Sequence, residues 1–200
     1  MRAQDWQSWV FTDEKVFQSY ANGTFYVWRQ RKERYNPRFL QTVQKSGRFS
    51  VYVHGWISYN GLGNITFING NMNSAKYCEI LKEQLPLISQ SFAGQNFTFI
   101  QDKHPSHFSN ETLSWIENFK SENESIRFTL DNWVSKGADL NIIENVWHIL
   151  QDKVCDKIRN LGIPQNEMML RIYILNSWNE IQSDLTICET LYNSLPSRFR

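Results

Sequence analysis

The sequence predicts an α/β fold in which a mixed β-sheet is flanked by helices. Segments rich in β-branched and aromatic residues occupy the first third of the chain, and strand-like and helix-like patterns alternate in the middle. The last third carries long runs of apolar residues at helical spacing. Early strands followed by strand–helix alternation are typical of a sheet that is covered by helices.

The composition is that of a globular protein without disulfide or thiolate-metal chemistry. Its 200 residues, of which 41% are hydrophobic and 14% aromatic, suit a single domain that buries a substantial core. The three cysteines, Cys78, Cys155 and Cys188, are far apart and show no C-x-x-C spacing. Neither a disulfide framework nor a zinc site is therefore expected, and a reducing compartment is the default.

Charge and hydropathy argue against two further classes of protein. The first residues lack the apolar core of a signal peptide, and polar residues and glycines interrupt every segment long enough to span a membrane. The net charge of +1 gives the surface as a whole no attraction to nucleic acid. A protein that binds DNA over its whole surface is therefore not expected.

The first strand is predicted at residues 9–13. It is short and apolar, delivers the carboxylate of Asp13 at its C-terminal end, and is followed at once by Glu14. A second short strand at residues 24–29 comes after the turn signal Asn22-Gly23. Together the two look like the start of an excursion from the main sheet.

A basic segment follows this second strand. Between positions 29 and 38 only Glu33 opposes five basic side chains, which are Arg29, Arg31, Lys32, Arg34 and Arg38. Such a run is typical of a solvated loop, and it is also the pattern of an arm that contacts phosphates. Both interpretations stay open on the residues alone.

A β-hairpin and a helix come next. Residues 49–58 alternate and are rich in Val, Tyr and Trp, a turn follows at 59–61, and residues 64–68 have the pattern of the partner strand. The helix is predicted from apolar side chains at spacings of three and four, namely Ala75, Cys78, Leu81, Leu85 and Ile88. Asn73 or Ser74 is available as its N-cap.

Residues 96–102 form the clearest strand pattern in the chain. This β-rich run ends in Asp102, and it therefore repeats the arrangement seen at Asp13. A further strand is predicted over residues 126–130. Between the two strands a helix is predicted from Phe108, Thr112, Trp115, Ile116 and Phe119.

A long amphipathic helix is predicted to open within residues 139–147. Its apolar face consists of Ile143, Trp147, Leu150, Val154, Ile158 and Leu161, whereas Glu144, His148 and Gln151 share a different face. Asn141 is expected to cap this helix, with Glu144 completing a capping box three residues later. A helix N-terminus also holds a carboxylate rigidly where a metal ion can use it, so the two roles of Glu144 are compatible.

One more helix is predicted at the C-terminal end. Its apolar positions are Met168, Ile172, Leu175, Trp178, Ile181 and Leu185. The resulting order is strand, excursion, hairpin, helix, strand, helix, strand, helix and helix. This succession fits the ribonuclease-H-like arrangement.

Two of these strands end in carboxylates, and one helix begins with another. Asp13, Asp102 and Glu144 are therefore expected to converge at one edge of the sheet. Acidic side chains repel one another, so a group of three is tolerable mainly when divalent cations neutralise it. Oxygen ligands suit Mg²⁺ or Mn²⁺, and a pair of such ions supports phosphoryl transfer. A cap or a surface role for any one of the three stays open at this point.

Five segments, taken together, carry a family resemblance. They are Phe-Thr-Asp-Glu at 11–14, Val-Trp-Arg at 27–29, Val-His-Gly-Trp-Ile-Ser at 53–58, Gln-Asp-Lys-His-Pro-Ser-His at 101–107 and Asp-Leu-Asn-Ile-Ile-Glu-Asn-Val-Trp at 139–147. Each segment is weakly specific by itself, whereas the set in this order is highly specific. It resembles the Tc/mariner superfamily of cut-and-paste transposases along nearly the whole chain.

The resemblance implies a DDE transposase catalytic domain of ribonuclease-H-like fold over residues 1–200, with a basic insertion at about 18–47. Asp13, Asp102 and Glu144 would bind Mg²⁺, or Mn²⁺ in its place, and catalyse strand cleavage and strand transfer in DNA transposition. His107 would position a phosphate or a group that contacts the metal ligands, although a histidine in a loop between a strand and a helix can also be purely structural. The basic segment would contact the DNA backbone. The implied partners are transposon ends and target DNA in the nucleus, with no membrane and with a homodimer left open.

The same resemblance shows departures that leave other interpretations open. The helix-turn-helix modules that read transposon ends in the family have no counterpart upstream, which predicts a truncated copy. The interval between Asp102 and Glu144 is longer than usual, Lys103 stands beside Asp102, and Ile142 stands where the family has proline. The second interpretation is therefore an inactive, repurposed DNA- or protein-binding module. A different nuclease of the same fold is a third, which the matching segments outside the triad oppose.

Overall fold

The computed structural model describes residues 6–19, 33, 36, 49–132 and 140–199. Within them the α/β prediction is confirmed, because six strands form one mixed sheet and helices cover both of its faces. The strand predicted at 24–29 and the five Arg and Lys side chains of the basic segment lie outside the described residues.

The sheet is built around its first strand. The strands are β1 (Trp9–Gln18), β2 (Ser50–Ser58), β3 (Gly61–Leu62), β4 (Thr66–Ile68), β5 (Phe97–Gln101) and β6 (Phe128–Asn132). Their order is β3-β2-β1-β5-β6, with β4 also paired to β2. β2 pairs antiparallel with β1, β3 and β4, which confirms the predicted hairpin, and β5 runs parallel to β1 and β6.

The predicted excursion leaves and rejoins the sheet at one place. β1 and β2 form a long ladder that runs from the pair Phe11 and Ile57 to the pair Gln18 and Ser50. Just past its end the Ser19 N–H donates to the Phe49 carbonyl over 3.0 Å, and the Phe49 N–H donates to Ser19 Oγ over 3.3 Å. Both ends of the segment between them are therefore fixed side by side.

The helices within the described ranges are α1 (Ser74–Ser91), α2 (Asn110–Glu122), α3 (Ile143–Leu161), α4 (Glu167–Gln182) and α5 (Leu185–Arg198). A short 3₁₀ turn, Trp6–Ser8, precedes β1. Asn73 caps α1 as predicted, since its side chain accepts a hydrogen bond from the Lys76 N–H over 2.9 Å. No helix in the described part of the chain is long and apolar enough to cross a membrane.

The two faces of the sheet bury different cores. On one face Phe11 packs with Trp147 of α3 and Trp178 of α4. On the other face Val10 packs with Tyr77 of α1 and with neighbours from α2 and β6. Because successive strand residues point to opposite faces, Asp13 faces the side of α3 to α5 and Glu14 faces the side of α1 and α2.

Gly55 is a position in β2 where a helix packs closely against the sheet. It pairs with Asp13 of β1, and a Cβ atom there would lie 2.7 Å from the ring of Trp147. Any larger residue would have to displace that buried indole. The missing side chain at Gly55 is therefore what lets α3 lie against β1 at the level of Asp13.

The C-terminal helices correct the sequence analysis. The last helix was predicted as one element, whereas Ser183 and Asp184 separate α4 from α5, with the Asp184 side chain accepting from the Thr186 N–H over 3.1 Å. The predicted apolar face was also wrong in part, because four of its members are exposed. These are Met168, Ile172, Leu175 and Leu185, and the buried face of α4 consists of Leu170, Tyr173, Ile174, Ser177, Trp178 and Ile181.

The start and end of α3 also differ from the prediction. The helix begins at Ile143, and its N-cap residue is Ile142, so Glu144 is the second helical residue rather than the third. A capping box with Asn141 needs the third position, and that prediction was therefore wrong. Leu161, predicted as part of the apolar face, is 65% exposed at the end of the helix.

Candidate metal-binding and catalytic site

The site lies where the parallel pairing of β1 and β5 ends. The last paired residues are Phe11 of β1 and Ile100 of β5, and Thr12 Oγ1 closes the ladder by donating to the Ile100 carbonyl over 2.9 Å. Asp13 and Asp102 each stand two residues beyond this last pair. Parallel strands therefore deliver both aspartates at the same edge of the sheet, which is where α/β sheets place ligands.

The sequence analysis placed Asp13 at the end of its strand, and that prediction was wrong. β1 continues to Gln18 because β2 remains its partner beyond the end of β5. Asp13 is therefore held by a ladder on one side only. Asp102, in contrast, immediately follows the last residue of β5, as predicted.

Asn141 attaches the start of α3 to this edge. Its buried side chain donates from Nδ2 to the Thr12 carbonyl over 3.3 Å and accepts at Oδ1 from the Ile143 N–H over 3.3 Å. One amide thus joins β1, next to Asp13, to the first turn of α3. Glu144 is exposed in that turn, one residue after Ile143.

Asp13 is the carboxylate that burial affects most. Burial raises its pKa to about 7, and the negative charges of Glu14, Glu144 and Asp102 add to the shift, although a backbone hydrogen bond at Glu14 opposes it. Trp147, one turn after Glu144, donates from Nε1 to Asp13 Oδ2 over 3.2 Å. The effect of the other carboxylates on Asp13 indicates that the three predicted site residues share one electrostatic environment.

Asp102 is perturbed in the opposite direction. Its Oδ1 accepts from His107 Nδ1 at 2.8 Å and from the His104 N–H at 3.0 Å. The hydrogen bond from His107 is the main reason that the pKa of Asp102 is lowered, against the effect of burial. These two donors hold Oδ1, and no hydrogen bond to Oδ2 is found within the described residues.

His107 stands between two carboxylates. The ring is buried, and its Nε2 lies 3.4 Å from Glu14 Oε1, an ion-pair distance that is too long and poorly aligned for a full hydrogen bond. The ring also stacks on Tyr77, with 3.8 Å between the ring centroids. Burial by itself lowers the pKa of His107, but its contacts with Asp102 and Glu14 outweigh that effect and raise the pKa to about 9.

The donor set fits a hard divalent cation, although the side chains do not form a ready-made cage. Three carboxylates at one edge offer the oxygen ligands that Mg²⁺ and Mn²⁺ prefer, and a cation would relieve the repulsion that adds to the effect of burial on the pKa of Asp13. Among the described residues, no three His, Cys, Asp or Glu side chains are grouped closely enough to hold a metal ion. Trp147 holds one oxygen of Asp13, and His107 holds one oxygen of Asp102.

A comparison with known protein families shows which family this chain belongs to. The model of the family described as DDE superfamily endonuclease matches residues 8–162. The chain belongs to this family. The match covers more than half of the chain and includes the positions of Asp13, Asp102 and Glu144.

The similar proteins are transposases. The Tcb1 transposase of Caenorhabditis briggsae is 27% identical over 196 residues, which cover 98% of this chain and 67% of that protein. The Tc3 transposase of Caenorhabditis elegans is 32% identical over 148 residues, which cover 73% of this chain and 42% of that protein. The predicted relationship is confirmed, and the chain is a DDE transposase catalytic domain of the Tc1/mariner type.

Solved structures show the same fold. The Mos1 transposase in a paired-end complex with the left transposon end has a TM-score of 0.75 at 13% identity, with 98% of this chain and 55% of that chain covered. The catalytic domain of Mos1 mariner transposase gives 0.65 at 14% identity, with 98% and 81% covered. Other matching structures are Mos1 complexes with Mn or with Mg. The predicted ribonuclease-H-like fold is confirmed.

The sequence analysis missed several residues that shape this DDE site. Glu14 was noted only as a second carboxylate, and Trp147 and Tyr77 were not expected to touch site residues. Alternation along β1 was the available signal for Glu14, because it places the side chain opposite to Asp13. For Trp147 the signal was its position one turn after Glu144. Nothing in the sequence pattern pairs Tyr77 with His107, since the two lie on different elements.

Proposed function

We propose that this chain cleaves and transfers DNA strands, and that Asp13, Asp102 and Glu144 hold the divalent ions that the reaction needs. One observation carries the proposal: the equal offset of Asp13 and Asp102 beyond the last pair of β1 and β5, with α3 fixed to the same edge through Asn141. Family membership supports a polynucleotidyl transferase at this edge.

The residues would divide the work according to their surroundings. Mg²⁺ or Mn²⁺ bound here would activate an attacking oxygen and stabilise the leaving oxygen of a phosphodiester. Asp102 enters the reaction ionised, because His107 holds its pKa low. Asp13 holds a proton in part of the molecules at neutral pH, since its pKa is about 7, and gives up that proton on binding a cation. Glu144, exposed beside them, completes the ligand set.

The proposed substrate is duplex DNA, including transposon ends and the target. Support comes from the solved Mos1 complexes that contain a transposon end and from the place where the insertion joins the sheet. Ser19 lies six residues beyond Asp13 along β1, roughly 20 Å from it at the rise of an extended strand. The insertion that contains the basic segment therefore leaves the sheet at the C-terminal end of β1, beyond Asp13.

We expect the basic segment to contact the DNA backbone rather than the bases. Changing Arg31, Lys32 and Arg34 to Glu should weaken binding to any duplex and flatten its salt dependence, because phosphate contacts release counterions. Binding measured by fluorescence anisotropy at several salt concentrations tests this, with two duplexes of unrelated sequence. An unchanged affinity would leave the segment as ordinary solvated surface.

The chain spans about two thirds of the length of the Tcb1 transposase and 55% of the Mos1 chain, so excision of a whole element is not part of the proposal. Weak nicking that does not depend on DNA sequence is the expected activity of these residues. Since the substrate is chromosomal DNA, we propose a nuclear location. The proposal leaves open whether the domain acts as a homodimer.

A plasmid-nicking assay tests the function. The intact chain should nick supercoiled DNA in the presence of Mn²⁺ or Mg²⁺, and Glu144→Ala should not. Glu189→Gln, which removes an exposed carboxylate from α5, is the matched control and should nick at the wild-type rate. Identical traces for the intact chain and Glu144→Ala would favour the repurposed binding module instead.

A further inference from the structure

A buried polar cluster lies behind the proposed metal site, on the face of the sheet covered by α1. It consists of Glu14 and His54 on β1 and β2, Gln101 at the end of β5, Tyr77 on α1, and His107 in the loop after β5. Glu14 and His54 are paired across the two strands. The Tyr77 hydroxyl donates to Gln101 Oε1. The cluster thus joins four elements around the ring of His107.

The cluster is expensive to bury. Five of its side-chain atoms are inaccessible and lack a hydrogen-bond partner within the described residues: Glu14 Oε1, both ring nitrogens of His54, Gln101 Nε2 and His107 Nε2. Unpaired buried polar groups cost free energy that an apolar core would not. Stability alone therefore does not account for these residues, and the place where the cluster meets the site edge indicates a functional purpose.

Glu14 cannot share the role of its neighbour. Asp13 and Glu14 point to opposite faces of β1, so Glu14 faces away from the side on which α3 places Glu144. Its side chain is 8% exposed and lies against His107. Glu14 therefore contacts Asp102 through that ring, while its charge also adds to the raised pKa of Asp13.

The ring of His107 in turn fixes one oxygen of Asp102. Nδ1 contacts Asp102 Oδ1 at 2.8 Å, Nε2 lies 3.4 Å from Glu14 Oε1, and Tyr77 covers the ring face. With Oδ1 also held by the His104 N–H, the carboxyl group has a fixed orientation that leaves Oδ2 for a cation. Outer partners of this kind orient metal ligands in general.

We propose that His107 and Glu14 are positioning residues that set the Asp102 carboxylate for metal binding, with Tyr77 as the platform for the ring. Neither touches the reacting atoms. The inference rests on the proposed function, because Asp102 is taken to be a metal ligand.

Two neutral substitutions at one position separate orientation from charge. The amide nitrogen of Asn lies where Nδ1 of a histidine does, and that of Gln lies where Nε2 does. His107→Asn can therefore still donate to Asp102, whereas His107→Gln can reach only Glu14. Calorimetric titration of the full chain with Mn²⁺ should show binding about tenfold weaker for His107→Gln, and His107→Asn should retain most of the affinity. Melting curves of the metal-free variants establish that both are folded.

The proposal fails if both variants bind Mn²⁺ as tightly as the wild type, or if both lose the same affinity. Equal losses would mean that only the charge of the ring matters. His107→Gln binding more tightly than His107→Asn would also overturn it. Should the wild-type chain bind no Mn²⁺ at all, the proposed function fails, and the positioning contact is then decided by a measurement without metal.

That measurement is the nuclear magnetic resonance spectrum of the imidazole in the metal-free chain. A slowly exchanging His107 Nδ1–H should be present in the wild type, absent in Asp102→Ala, and shorter-lived in Glu14→Gln, where the second contact is weakened. Glu189→Gln should leave the resonance unchanged. Rapid exchange of this proton in the wild type would show that the ring does not hold Asp102, whatever the metal affinity.

Discussion

The two aspartates at the sheet edge occupy equivalent positions, but their pKa values are shifted in opposite directions. Asp13 and Asp102 stand at the same offset beyond the last parallel pair, yet the pKa of Asp13 is raised to about 7 and that of Asp102 is lowered. The difference comes from what covers each of them. Asp13 is partly buried next to α3 and receives one hydrogen bond from Trp147, whereas Asp102 is half exposed and is held by His107. In this fold the strands set where the carboxylates are, and the covering elements set how acidic they are.

The largest effect is expected from Asp102→Asn. Asparagine nearly keeps the shape of the side chain but removes the negative charge that a cation needs. Because outer partners alone cost up to about 100-fold in metal affinity, loss of a ligand should weaken Mn²⁺ binding by at least that factor. Calorimetry checks it, with Asp156→Asn on the exposed side of α3 as the control. Undiminished binding would mean that Asp102 is not a ligand.

Gly55→Ala should disturb the packing around Asp13 and leave the contact between His107 and Asp102 unchanged. The added methyl group would lie 2.7 Å from the Trp147 ring, and overpacking of a core of this kind costs about 1–3 kcal/mol. The displaced indole would also lose its hydrogen bond to Asp13. Chemical denaturation measures the free energy of unfolding, and the spectrum of His107 reports the other side. Gly94→Ala, at a position with open space but a left-handed backbone, provides the contrast, because its cost comes from backbone strain and not from a clash.

Asp13→Asn should stabilise the metal-free chain, and only above mildly acidic pH. The folded pKa of about 7 exceeds the unfolded value near 4, so the wild type loses stability as the pH rises from about 4 through 7, where burial penalises the charged form. The variant has no charge to bury. The change in pKa corresponds to roughly 4 kcal/mol, and partial exposure of the carboxylate reduces the expected gain in stability to about 2 kcal/mol at pH 8, with little difference at pH 4. Melting curves at the two pH values in a metal chelator test this. A constant difference at both values would show that Asp13 is not the titrating group.

The smallest effect is expected far from both aspartates, on the exposed face of α4. Met168 is 65% exposed, so Met168→Lys should change the free energy of unfolding by less than about 0.5 kcal/mol. Leu170, two residues later, is fully buried, and Leu170→Ala should cost about 2–5 kcal/mol. A large loss of stability in Met168→Lys would show that Met168 belongs to a buried apolar face, as the sequence predicted.

The contrast at α4 explains where sequence reasoning stopped. The position of Asp102 could be predicted because a β-rich run stops there, and Asp13 could be assigned to the first strand, although that strand continues past it. The sheet order then brings the two residues to the same edge. α4 is apolar on two faces, with Met168, Ile172 and Leu175 exposed and Leu170 and Ile174 buried. Periodicity supports either face, and only packing against β2 and α3 selects one.

The environment of the site was less accessible to prediction than its position. That Glu144 lies in the first turn of a helix could be predicted from residues 139–147, but the helix begins at Ile143, one residue later than a cap at Asn141 implies. The roles of Asn141, Trp147 and Tyr77 depend on contacts between elements that are far apart in sequence. Such contacts follow from tertiary packing and leave no local pattern.

The hydrogen-bonded closure between Ser19 and Phe49 has a consequence for how this chain can change over evolutionary time. Since the sheet already holds the two ends together, each doubling of the length of the segment between them costs only about 0.6 kcal/mol in loop closure. Insertions, deletions and exchanges of sequence between positions 20 and 48 therefore have little effect on the stability of the carboxylate edge. The proposed contacts to nucleic acid can diversify in that segment while the carboxylate edge is inherited unaltered.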